Sequence, residues 1–167
     1  MAVHGSTPVK HCLLSVLVEN RSGVLSRVVG LFSARGFNID SLAVGETADP
    51  TVSRITLVAR GDERTLEQIN KQLNKLIDVI KVQDLTDQAF VDRELMLVKL
   101  KTSAKTQETL AELLLKYRLT VVEENTECTI VECAETRENT RKLFNALKAI
   151  GIVEMAQTGA VALSKKI

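Results

Sequence analysis

Apolar residues first gather over residues 10–20, where Leu13, Leu14, Val16, Leu17 and Val18 predict a half- to fully buried strand. The run ends in the turn cluster Asn20-Arg21-Ser22-Gly23. Val24, Leu25, Val28, Val29, Leu31 and Phe32 then recur at i, i+1, i+4, i+5, i+7 and i+8, one stripe of an amphipathic helix. Gly36 supplies the residue that commonly closes such a helix. Residues 37–45 read as a second strand, 46–51 with Pro50 as a hairpin loop, and 53–60 as a third strand presenting Ile55, Leu57 and Ala59 on one face. Asp62 is placed to cap a second helix with the stripe Leu66, Ile69, Leu73, Leu76 and Ile77. A fourth strand over 78–85 completes the order βαββαβ.

The same order returns after a polar connection over 86–92. Met96, Val98 and Leu100 share one face of a strand over 94–101. Leu110, Leu113, Leu114 and Tyr117 form the stripe of a helix over 106–117. Strands at 119–124 and 128–133 flank an Asn125-Thr126 turn. Thr136 is placed to cap a helix carrying Leu143, Phe144, Leu147 and Ile150, closed by Gly151. Short strands follow at 153–156 and 160–163. The pattern predicts an α+β protein of two ferredoxin-like βαββαβ domains. An extension spans 1–9, the domains span 10–87 and 93–167, and a linker over 88–92 joins them. A sheet with both helices on one face leaves the other bare, so association with a second copy is expected.

Composition changes this picture mainly by exclusion. In 167 residues, 22 Lys and Arg balance 21 Asp and Glu, so there is no basic excess to neutralise a nucleic acid. No apolar run approaches the ~20 residues needed to span a bilayer. Residues 1–9 lack an apolar signal core and read as a polar extension. The odd count of three cysteines argues for reduced thiols in a cytosol-like compartment, so the expected location is the cytoplasm. Both histidines, His4 and His11, lie at the N-terminal edge, leaving no imidazole in the body of the chain for acid–base work. Cys128 and Cys133 fall on opposite faces of one strand, as do adjacent His11 and Cys12, which argues against a zinc site. The chain has little that an enzyme requires.

The turn Asn20-Arg21-Ser22-Gly23 and the helix start Val24-Leu25-Ser26-Arg27 carry more chemistry. A helix start offers unpaired N–H groups and a partial positive charge, which suit an anion. Gly23 permits close approach of a carboxylate to the backbone, because no Cβ intervenes. The Asn20 amide can both donate and accept, matching the two charged ends of a free amino acid. Val24 and Leu25 add apolar surface. The competing reading is purely structural: Ser22 caps the helix and Gly23 only bends the chain.

Glu19-Asn20, Ser22-Gly23, Arg35-Gly36-Phe37-Asn38-Ile39 and Ser41-Leu42 resemble the small regulatory subunits of acetohydroxyacid synthase, also called acetolactate synthase. The resemblance continues through Ser53-Arg54-Ile55-Thr56, Glu67-Gln68-Ile69 and 71–76, then through 93–99, and ends with Thr158-Gly159. It implies an N-terminal ACT domain that binds a branched-chain amino acid and a C-terminal ACT-like domain. The implied role is non-catalytic: activation of a catalytic large subunit and feedback inhibition, typically by valine. Thiamine diphosphate, Mg²⁺ and FAD are implied for the large subunit, with no cofactor in this chain. A homodimer is implied, with Asn20, Gly23, Val24 and Leu25 of one chain facing Asn38 and Ile39 of the other, and Ser22 and Ser26 supporting the turn. The second half carries Thr102-Ser103-Ala104-Lys105 in place of the Asn-x-x-Gly turn, so no second effector site is expected. An RNA-recognition domain shares the element order but stacks bases on strand aromatics. Here Phe32, Tyr117 and Phe144 belong to helical stripes, Phe90 to the linker, and Phe37 alone to a strand. The alternative reading is a stand-alone ACT sensor serving another pathway.

Overall fold

The computed structural model describes residues 10–166; the extension at 1–9, with His4, lies outside them. Among the described residues the chain divides into two compact units. One runs to Phe90 and includes the stretch from Leu163; the other is Val91–Ala162. The final stretch joins the first unit, where Lys165 N donates to Ala89 O at 2.9 Å.

In the first unit, β1 (Lys10–Glu19), α1 (Val24–Ala34), β2 (Asn38–Glu46), β3 (Val52–Gly61), α2 (Glu63–Leu73) and β4 (Val79–Asp84) follow the expected order. The strands pair antiparallel as β2-β3-β1-β4. Alternation along β1 sends Cys12, Leu14, Val16 and Val18 to one face, where Ile55, Leu57 and Ala59 of β3 meet them. Val28, Leu31 and Phe32 of α1 and Leu66, Ile69 and Leu73 of α2 close this core. Each fully buried Leu or Ile contributes about 1.5–3 kcal/mol relative to its exposed state. Phe32 and Phe37 pack in a T-shaped pair with ring centroids 6.3 Å apart. On the opposite face the expected bareness does not hold at the centre: Ser15, Thr56 and Val58 are buried, and Arg54 Nη1 donates to Ser15 Oγ at 2.7 Å across it.

The remaining elements, β5 (Phe90–Lys101), α3 (Ala104–Lys116), β6 (Leu119–Glu124), β7 (Cys128–Glu135), α4 (Arg137–Lys148) and β8 (Ile152–Gln157), repeat the order, and β9 (Val161–Ser164) pairs with β5. The strand order β6-β7-β5-β8 reproduces that of the first sheet. Met96, Val98, Leu100, Val131 and Cys133 face Leu110, Leu113, Leu143 and Leu147.

Three local expectations are corrected. Ile77 is 95% exposed, because α2 ends at Leu73 and the turn that follows carries residue 77 off the stripe. Leu114 is 40% exposed at the flank of α3, and buried Thr106 joins that stripe instead. β5 starts at Phe90, within the stretch read as linker; pairing with β9 supplies backbone hydrogen bonds that its polar sequence does not advertise.

Candidate functional site

The turn after β1 is held by its neighbours through the backbone. Glu19 N donates to Asp78 O at 2.9 Å, and Asn20 N donates to Thr51 O at 2.7 Å. Gly23 then adopts φ 83°, ψ −10°, and α1 begins at the next residue. This is the left-handed region, where a side chain costs about 1–2 kcal/mol, so glycine is required by the backbone and not only by a ligand's approach. A Cβ at this position would lie 3.3 Å from Arg27 Nη1. Arg27 grips Asp78 with both ends of its guanidinium, Nε to Oδ2 at 2.7 Å and Nη2 to Oδ1 at 2.9 Å. Those donated hydrogen bonds hold the Asp78 carboxyl below its ordinary range. This brace between α1 and the residue preceding β4 was not legible in the sequence, since nothing in the apolar pattern links positions 51 residues apart.

Ser22 does not cap α1. The N-cap residue is Gly23, no side chain accepts from the first turn, and that turn contains no acidic residue. The other helices are all capped: Asp62 accepts from Thr65 N, Ser103 from Thr106 N and Thr136 from Asn139 N. Val24 N reaches Arg21 O at 3.3 Å, while among the described residues no acceptor meets the Leu25 and Ser26 N–H groups. The start of α1 therefore keeps an uncompensated positive pole. Val24 is buried in the first core, contrary to its expected place on the ligand side; Leu25, 40% exposed, is the apolar surface actually presented there. Ser26 is exposed and makes no side-chain hydrogen bond among the described residues, so the turn is supported by Arg27 and Asp78 instead.

Asn20 has less freedom than its side-chain type suggests. Its Nδ2 donates to Glu46 Oε1 at 3.0 Å and to Pro50 O at 2.9 Å. Both partners are acceptors, which fixes the amide nitrogen toward them and leaves Oδ1 as the free group. Asn20, Gly23 and Leu25 are thus gathered at one end of the first sheet, beside the β2–β3 hairpin. Asn38 and Ile39 are not. Glu46 pairs with Ser53, whereas Asn38 pairs with Arg60 at the far end of the same ladder. At about 3.3 Å per residue the two ends of β2 lie roughly 25 Å apart. There Asn38 Nδ2 donates to Asp40 Oδ1 at 2.6 Å, and half-buried Ile39 packs against the core.

Among the described residues no cluster of three or more His, Cys, Asp or Glu could hold a metal ion. No described helix is long and apolar enough to cross a membrane.

Comparison with known proteins addresses both units. Residues 14–81 match the family model of the AHAS small subunit-like ACT domain, and residues 93–166 match that of the small subunit of acetolactate synthase. The chain is 45% identical over 154 residues to the acetolactate synthase isozyme 3 small subunit of Salmonella typhimurium, covering 92% of this chain and 94% of that one. It is 46% identical over 152 residues to the acetolactate synthase small subunit of Mycolicibacterium smegmatis, covering 91% and 89% respectively. The crystal structure of the Thermotoga maritima acetolactate synthase small subunit superposes with a TM-score of 0.84 at 35% identity, over 95% of this chain and 99% of that one.

Proposed function

The chain belongs to the acetolactate synthase small-subunit family, and on that premise we propose that it is a non-catalytic regulatory subunit binding a branched-chain amino acid, valine first. It would activate a separate catalytic large subunit and make it sensitive to feedback inhibition in branched-chain amino-acid biosynthesis, in the cytoplasm. Thiamine diphosphate, Mg²⁺ and FAD would belong to the large subunit.

The observation that carries this reading is the end of the first sheet. Uncapped amides of α1 suit a carboxylate, the free Oδ1 of Asn20 suits an ammonium, and exposed Leu25 suits a branched aliphatic side chain. In the second unit Ser103 already occupies the corresponding helix start, which supports a single effector site per chain.

Two-fold association supplies a reason for the distance between Asn20 and Asn38. β2 is an edge strand of the first sheet. If β2 pairs antiparallel with its copy about an axis near Leu42, Asn38 of the partner subunit comes opposite Glu46, beside Asn20. The site would then be completed by two chains. A stand-alone sensor is the weaker reading, because the family match includes residues 93–166 as well as the ACT domain.

Three measurements test the proposal. Calorimetry with valine, leucine, isoleucine and serine should give binding for the branched-chain ligands. Light scattering should give at least twice the 18.4 kDa chain mass. Added to a catalytic subunit, the chain should raise acetolactate formation and make it valine-sensitive. A monomer that binds none of these ligands and leaves the catalytic subunit unchanged refutes the reading.

A further inference from the structure

Carboxylates orient both asparagines of the proposed site. Glu46 Oε1 and the Pro50 carbonyl take the two hydrogens of Asn20 Nδ2, at 3.0 and 2.9 Å. Asn20 can therefore offer a ligand its carbonyl oxygen and nothing else. Asn38 Nδ2 donates to Asp40 Oδ1 at 2.6 Å. Asp40 is itself held in place: Arg60 Nη2 donates to Oδ1 at 3.0 Å and to Oδ2 at 3.2 Å, Arg60 Nε donates to Oδ2 at 3.2 Å, and His11 Nδ1 lies 3.0 Å from Oδ2. With its carboxylate only 10% exposed and engaged on both oxygens, Asp40 has no freedom to release the Asn38 amide.

We infer that Glu46 and Asp40 are positioning residues for the Asn20 and Asn38 amides, that Glu46 turns the Asn20 oxygen toward the effector, and that the site thereby selects for an α-ammonium group. The inference rests on the site proposed above and adds its ligand selectivity. An ammonium brings three hydrogens to a site whose Asn20 oxygen is already oriented as an acceptor. A 2-hydroxy acid brings one. A 2-oxo acid brings none and sets its own lone pairs against the amide oxygen, with the Glu46 carboxylate behind it. An amino acid and its 2-oxo counterpart differ only by transfer of an amino group, so such a site responds to the aminated compound and ignores its oxo partner at equal concentration.

Calorimetry on the full chain decides this with three probes of one carbon skeleton: valine, 2-hydroxy-3-methylbutanoate and 3-methyl-2-oxobutanoate. Valine should bind at least about a hundredfold more tightly than the oxo acid, with the hydroxy acid between, because an analogue without the hydrogen leaves oriented polar groups unpaired. An oxo acid binding within about threefold of valine overturns the inference while leaving the site reading intact. Absence of valine binding overturns the site reading and the inference with it. Glu46→Ala frees one hydrogen of Asn20 Nδ2 and removes the carboxylate, so the preference for valine over the oxo acid should fall about tenfold. Asp40→Ala should lower the same ratio through Asn38. Loss of affinity for both ligands in equal proportion would assign these carboxylates a merely structural role and overturn the positioning claim. The unmodified chain tests the selectivity independently of how the variants fold.

Discussion

Replacing Gly23 with Asn and, separately, with Asp isolates the charge at the start of α1 from every other consequence of substitution. The two side chains have nearly the same size and shape, and both enter the left-handed region more readily than other residues. Each places a Cβ 3.3 Å from Arg27 Nη1, the tip of a long side chain that can yield. The shared backbone cost is at most about 1–2 kcal/mol. At about 4–8 °C per kcal/mol for a domain of this size, both variants should melt no more than roughly 16 °C below the parent. The charge acts differently on the ligand. If the effector carboxylate rests about 4 Å from the introduced one, repulsion is about 1 kcal/mol at the dielectric of water and about 4 kcal/mol at an effective value of 20. Valine affinity of Gly23→Asp should thus lie between about fivefold and about a thousandfold below that of Gly23→Asn. Calorimetry and thermal melts on the same preparations provide both quantities. Two folded variants with equal valine affinity would refute the placement of the carboxylate on these amides. Melting far below the stated range would refute the backbone argument instead.

In the second unit, Ser103→Ala removes the cap of α3 and should cost about 1 kcal/mol, visible as a lower melting temperature, with valine affinity unchanged; a loss of valine binding would relocate the effector site. Burial raises the Glu94 carboxyl above its ordinary value of 4.5, against the opposing hydrogen bond from Gln157 and the charge of Arg137. The folded chain then keeps a proton that the unfolded chain loses, so stability falls as pH rises from about 4.5 through the folded value and levels off above it. Urea denaturation across this range should show that slope reduced in Glu94→Gln, and an identical slope would remove Glu94 as its source. Burial also pushes the Cys12 and Cys133 thiols up to about 11, so neutral iodoacetamide should label half-buried Cys128 first by mass spectrometry; equal labelling of all three would show that the cores open readily.

What the sequence determined by itself is what local periodicity and turn chemistry encode. The βαββαβ order of both units, the strand faces Ile55–Leu57 and Met96–Val98, and the caps at Asp62 and Thr136 depend on residues within a few positions of one another. Such features follow from alternation, the helical repeat and short side-chain reach. The turn at Asn20–Gly23 was legible for the same reason. Its working geometry was not. Whether Ser22 caps α1, whether Val24 faces ligand or core, and which Asn20 atom is free all depend on φ at Gly23 and on Glu46, Pro50 and Asp78, which lie 26 or more residues from the Asn20 or Arg27 groups they meet. β5 reached back to Phe90 because β9 pairs with it, another partner distant in sequence. Tertiary structure alone decided these points, because a polar group takes whichever partner the fold brings within about 3 Å, and spacing along the chain carries no record of that choice.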